Sequence, residues 1–260
     1  MDEFLHCTIT PESIQPADYN EQRIDPQARP MIPFRNLSLR TGLFAAFVAL
    51  MLALPPLPCR AQQGQPEKSL NAQLLEFAKQ GMVDRARKAL DAGAAPNSRN
   101  RAGQTPLLMF AQAGNEDGVA LLLERDADVN LADLHKSTPL MAAAVGGHLG
   151  VARRLIDAGA DIRAVDQIDK TALLYAAASG SAAVMDLLLD RGIDVNARYR
   201  HDLTALMWAA GYGQTGTVRR LLERGADPKL KDDRGMTAAA IAAGQGHVET
   251  AKILEGQASN

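Results

Sequence analysis

A chain of 260 residues that is 47% hydrophobic and 22% charged has the make-up of one or two globular domains. Its formal net charge of -2 gives no basis for nucleic-acid binding. Its two cysteines, Cys7 and Cys59, are too few for a disulfide framework. Aromatic residues make up only 4%, so Leu, Ala, Val and Met must fill the interior, which favours many small, similar helical contacts over one large core.

The chain opens with an acidic stretch, residues 1–30, that has no apolar period and is expected to be a disordered extension. Met31 precedes Arg35 and Arg40 and reads as the true start. Gly42 to Leu54 is then an unbroken apolar run of 13 residues, closed by Pro55, Pro56 and Pro58. Basic residues, a short apolar run and a small-residue end are the three parts of a secretory signal peptide. Cys59 and Ala61 take the two small-residue positions of a cut between Ala61 and Gln62. The run falls short of the about 20 apolar residues that cross a bilayer; an uncleaved anchor over 42–58 is the alternative. Pro56-Leu57-Pro58 does not resemble a lipoprotein signal before Cys59. Cleavage after Ala61 removes both cysteines, leaving a nearly neutral chain suited to an oxidising compartment. Residues 31–61 are thus read as the signal peptide and 62–66 as a linker.

From there a period of 33 residues takes over. Thr105, Thr138, Thr171, Thr204 and Thr237 keep it, as do Gly114, Gly147, Gly180, Gly213 and Gly246, and Asp128, Asp161, Asp194 and Asp227. Three markers in phase define a capping unit over 67–99 and five units over 100–132, 133–165, 166–198, 199–231 and 232–260. Ala72 stands in the cap where the other units have Thr.

Each unit is predicted to be a helical hairpin. Thr105 is suited to cap a helix over Leu107 to Ala113, since its hydroxyl can accept from a free backbone N–H. Pro106 fits the first turn, and Gly114 ends the helix in a left-handed conformation. A second helix is expected over 116–124 with Leu122 and Leu123 buried. Gly159, Gly192 and Gly225 end its equivalents, and Asp126 takes that position in the first unit. The recurrent Asp residues are expected to satisfy turn backbone groups.

Thr138-Pro139-Leu140, Ala143-Ala144, Gly147-His148 and Gly159-Ala160-Asp161 resemble the ankyrin-repeat family over residues 67–260. The resemblance implies an all-α solenoid of stacked helix-turn-helix units with β-turn or hairpin tips. The family's His at the fourth motif position is replaced by Leu108, Met141, Leu174, Met207 and Ala240, which removes a repeated hydrogen bond and is expected to loosen the turns. The resemblance also implies binding of a protein partner on a concave face. The positions that vary with partner in the family fall here on Arg101, Gln104, Leu134, His135, Val145, Gln167, Ile168, Arg200, His201, Leu203, Tyr212, Asp233, Arg234 and Met236, with Tyr199 beside them. Leu134, Ile168, Tyr199, Leu203 and Tyr212 are expected to face solvent, interleaved with Arg101, Arg200 and Arg234; aromatics and Arg dominate interface energetics. Tyr175 and Trp208 occupy a position that packs inside in the family and are expected in the core.

No phosphate loop, nucleophile elbow or H-E-x-x-H helix occurs. His135 and His201 lie two units apart, about 20 Å at helix-packing distances, too far to share a metal. His148 and His247 are three units apart. The expectation is a non-catalytic, monomeric scaffold without cofactor or metal, periplasmic or secreted. It would bind an as yet unidentified protein, not nucleic acid, and no membrane once cleaved. A secreted effector or toxin-neutralising protein acting outside the producing cell is the alternative.

Overall fold

A computed structural model describes residues 69–258; the extension, the signal peptide with its Ala61–Gln62 cut, and the 62–66 linker lie outside that range. The described chain holds twelve α-helices in six hairpins: α1 Leu70–Lys79 and α2 Val83–Asp91, α3 Pro106–Gln112 and α4 Glu116–Leu123, α5 Pro139–Gly146 and α6 Leu149–Asp157, α7 Ala172–Ser179 and α8 Ala182–Asp190, α9 Ala205–Gly211 and α10 Thr215–Glu223, α11 Ala238–Gly244 and α12 Val248–Ala258. No strand forms among them; one isolated antiparallel bridge joins Lys231 and Thr237 at the last tip. The odd-numbered helices pack on one another in chain order, as do the even-numbered ones. The expected all-α repeat stack is what the chain adopts.

The odd helices are short because their start and stop signals lie so close together. Thr105, Thr138, Thr171, Thr204 and Thr237 each accept a hydrogen bond from the backbone N–H three residues on. All but Thr237 are buried there. Left-handed glycines follow the threonines nine residues on, among them Gly114 at φ 68° and Gly147 at φ 68°. Asp126 takes the same left-handed conformation (φ 57°) where the other units place Gly. The cap departs from the pattern. Its first helix starts at Leu70 and uses Ser69 as N-cap, with the Ala72 N–H donating to its hydroxyl.

Burial in α4 runs through Gly118, Val119, Leu121 and Leu122, leaving Leu123 at the margin, so the expected Leu122–Leu123 pair is shifted by one. Phe110 packs inside this hairpin. Its ring fills the space between α3 and α4 so closely that a Cβ on Gly118 would stand 2.4 Å from it. The later units reverse the volumes, pairing Ala143 with Val151, Ala176 with Val184, Ala209 with Thr217 and Ala242 with Thr250. The larger partner thus changes sides between the two helices.

Polar residues lock neighbouring units. Asn130 accepts from the Asp161 N–H (2.8 Å) and donates to the Gly159 carbonyl (3.2 Å); Asn196 does the same to Asp227 and Gly225. Arg163, which has no acceptor, keeps only the bond to Gly192. His148 and His247 reach back to the carbonyls of Gln112 (3.2 Å) and Gly211 (3.1 Å), partnering carbonyls at the C-terminal ends of the preceding odd helices. Along the even helices, Arg125–Asp91, Arg191–Asp157 and Arg224–Asp190 repeat one inter-unit ion pair. Asp128, Asp161, Asp194 and Asp227 each accept from the N–H two residues on, the turn role expected of them.

Candidate partner-recognition face

The five odd helices after the cap, α3, α5, α7, α9 and α11, contain no charged residue. One position on them, held by Met109, Ala142, Tyr175, Trp208 and Ile241, is half-buried in the first four units and buried only at Ile241. Tyr175 and Trp208, which the family pattern led one to expect in the core, are instead partly open on the odd-helix face. Their size prevents full enclosure between neighbours that are mostly Ala. The Trp208 ring stacks on Tyr212, centroids 5.8 Å apart and planes 18° apart. The Lys170 ammonium lies 4.3 Å from the Trp208 centroid and 5.7 Å from that of Tyr175. The Tyr175 hydroxyl donates to the Asp166 carboxylate at 2.5 Å.

The tips beside this face are built on short polar residues at the first position of each unit. Asn100, Asp133, Asp166 and Asp232 each accept from the backbone N–H groups two and four residues on, at 2.8–3.0 Å. The Leu, Met and Ala that replace the family's His leave these turns closed by that side chain. Four of the replacements, Leu108, Met141, Leu174 and Met207, are buried apolar groups. Backbone bonds tie tip to tip: Leu134 N–H to Ala102 O, Gln167 N–H to His135 O and Asp233 N–H to His201 O, at 3.0–3.1 Å.

Tyr199 breaks the series. It cannot close the turn as Asp does, and its tip instead runs through a 3-10 turn, Arg200–Asp202, with His201 and Asp202 both left-handed at φ 60° and 56°. Arg200 reaches Asp169 at 3.8 Å in place of a backbone bond to that tip. Tyr199 itself is half-buried, its hydroxyl near the Thr171 side chain of the preceding unit. Burial pushes its hydroxyl above the usual value, aided by nearby Asp194 and opposed by Thr171 and Arg163. It is a residue of the seam between units rather than a free contact residue. Leu203 is also corrected: at 9% exposure it is buried, since the turn that replaces the Asp-closed tip folds it inward.

The remaining expected positions stand as follows. Leu134 (61%), Val145 (51%) and Ile168 (49%) are exposed apolar groups. Arg101, His135, Gln167, Arg200, His201, Asp233 and Arg234 are exposed, while Gln104, Tyr212 and Met236 are half-buried. His135 pairs with Gln167 at 3.1 Å and His201 with Asp233 at 2.8 Å, so each histidine is tied to the next tip. Among the described residues no three His, Cys, Asp or Glu side chains converge as a metal site would require. Lys170, Tyr175 and Trp208 were missed as candidates from the sequence. Their signal was present: every Tyr and Trp of the described residues lies between positions 175 and 212.

A search of curated proteins finds no match. The family model for ankyrin repeats in three copies matches residues 74–166, 133–199, 160–232 and 199–259, overlapping spans that run through the whole helical stack. Ankyrin repeats generally mediate protein–protein interaction and are typically non-catalytic. With the capped hairpins, the 33-residue register and these matches together, the chain belongs to the ankyrin-repeat family.

Proposed function

We propose that this protein is an exported, non-catalytic scaffold that holds one protein partner on the concave face formed by its odd helices and tips. The observation that carries the reading is the five-helix floor without a charge, on which Val145, Tyr175, Trp208 and Tyr212 remain partly open. Interface cores are depleted of charge and rich in aromatics and Met, whereas the even helices carry many charged side chains. The basic-apolar-small pattern of residues 31–61 supports export to the periplasm or beyond.

Cross-linking capture from the periplasmic fraction, with mass spectrometry of both partners, tests this. Val145→Asp with Tyr212→Ser should abolish capture while the helical circular-dichroism signal is kept and melting remains cooperative, lowered only by the lost stack on Trp208. Undiminished capture by that double variant rejects the face. A native peptide beginning at Gln62 supports export; a mature chain that retains residues 42–58 replaces it with an anchored form.

A further inference from the structure

The seam between the third and fourth units is joined differently from its neighbours. Backbone bonds tie the tips at the seams on either side, Gln167 N–H to His135 O and Asp233 N–H to His201 O, but none joins the tips of these two units. Arg200 reaches Asp169 through its side chain instead (3.8 Å). Between the even helices the same seam carries a network rather than a single pair. Asp186 of α8 meets Arg220 at 2.8 Å and Arg224 at 3.0 Å, and Arg224 also reaches Asp190. On the odd-helix side the Lys170 ammonium of the third unit lies over the Trp208 ring of the fourth. Elsewhere among the described residues, Arg125–Asp91, Arg154–Glu116 and Arg191–Asp157 each stand alone at their seams, and the last seam has His201–Asp233. The uncharged links show no such difference. Asn196 clamps the fourth unit as Asn130 clamps the second, and Gln214 donates to the Ala178 carbonyl much as His148 and His247 meet theirs.

We infer that this seam is a hinge sensitive to ionic strength, at which the fourth and fifth units open together while the cap and the first three units stay folded. The stability of a repeat stack is close to a sum of unit terms and nearest-neighbour seam terms, so weakening one seam acts there rather than along the whole stack. An isolated exposed ion pair contributes little, whereas charges that share partners count as a network. Asp186 and Arg224, with side chains 22% and 26% exposed, are the least exposed of these inter-unit ion-pairing groups. Salt cuts the reach of such charges from about 30 Å at 0.01 M to about 3 Å at 1 M. The burial of Leu173 in α7 and Leu206 in α9 is not electrostatic and stays. The seam also divides the proposed face, with Val145 and Tyr175 before it and Trp208 and Tyr212 after it. Ionic strength would then govern how firmly a partner touching both halves is held, but the hinge itself does not depend on that reading.

The test is amide hydrogen exchange read by mass spectrometry, without any partner, on the chain purified from cells expressing its full gene. It is run at about 0.01 M and about 1 M sodium chloride. Exchange in α9 to α12 should rise about tenfold with salt, with α9 and α11 rising together, while α3 to α6 change by less than about twofold. Asp186→Asn, which breaks the shared carboxylate, should raise the low-salt exchange of α9 to α12 and remove most of its salt response. Asp157→Asn, at the seam before, should leave that response as it is in the unaltered chain. A rise confined to α11 and α12, a rise spread evenly along the stack, or no rise would overturn the hinge. So would an Asp186→Asn chain that keeps most of its salt response, or an Asp157→Asn chain that loses it. Because no partner enters the assay, each of these results leaves the concave-face reading to its own test.

Discussion

Single residues carry two separable duties in this chain, closing turns and presenting a surface. The threonines close. Each accepts one of the N–H groups that a helix start leaves without a partner, and removing such a cap costs about 1 kcal/mol. Thr138→Ala should lower unfolding free energy by about that amount in urea titration, with no change in slope. Tyr199 shows the cost of departing from the pattern. Its neighbours at the first tip position are Asn or Asp, and it alone needs two successive left-handed residues. Because burial raises its hydroxyl above the ordinary value of 10.0, the folded chain keeps that proton when the unfolded chain has released it. The stability contribution of Tyr199 is therefore complete below pH 10 and declines as pH rises beyond it. Tyr199→Phe should lack that alkaline decline when melting curves are compared across the same pH range.

At the scale of helices, the 33-residue period made the hairpins legible before any coordinates, because capping is local chemistry: Thr, Pro and Gly act within a few residues of where they stand. Side-chain exposure was less legible, because it depends on the neighbouring unit. Leu203 was expected outside and is inside, since the tip that Tyr199 reshapes folds it under. Trp208 was expected inside and is half-open, since the alanines around it leave no pocket of its size. The complementary swap of Phe110 and Gly118 for Ala and Val or Thr could have been read from the repeat alignment, for both positions change together. It makes a paired prediction. Gly216→Ala, in α10 with nothing within 4 Å of the new Cβ, should gain up to about 0.5–1 kcal/mol from helix propensity. Gly118→Ala, made in α4 with the same intrinsic gain, should lose about 1–3 kcal/mol because the Phe110 ring must move from 2.4 Å. Urea titration of both variants checks the opposite signs.

Across the whole stack, stability is distributed along seams rather than gathered in one centre. Asn130 and Asn196 clamp turns, His148 and His247 cap helix ends, and the Arg–Asp pairs join the even helices. Structure of this kind spends its polar residues on joining units and leaves the odd-helix face uncharged, apart from what the tips extend over it. The division of labour has a direct consequence: a partner should be met on one side only. Replacing Val145, on the odd-helix side, or Arg219, on the even-helix side, with a photoreactive benzoylphenylalanine and irradiating the producing cells measures which side that is. The account predicts a partner adduct from position 145 and none from position 219; an adduct formed at 219, with 145 silent, would contradict it.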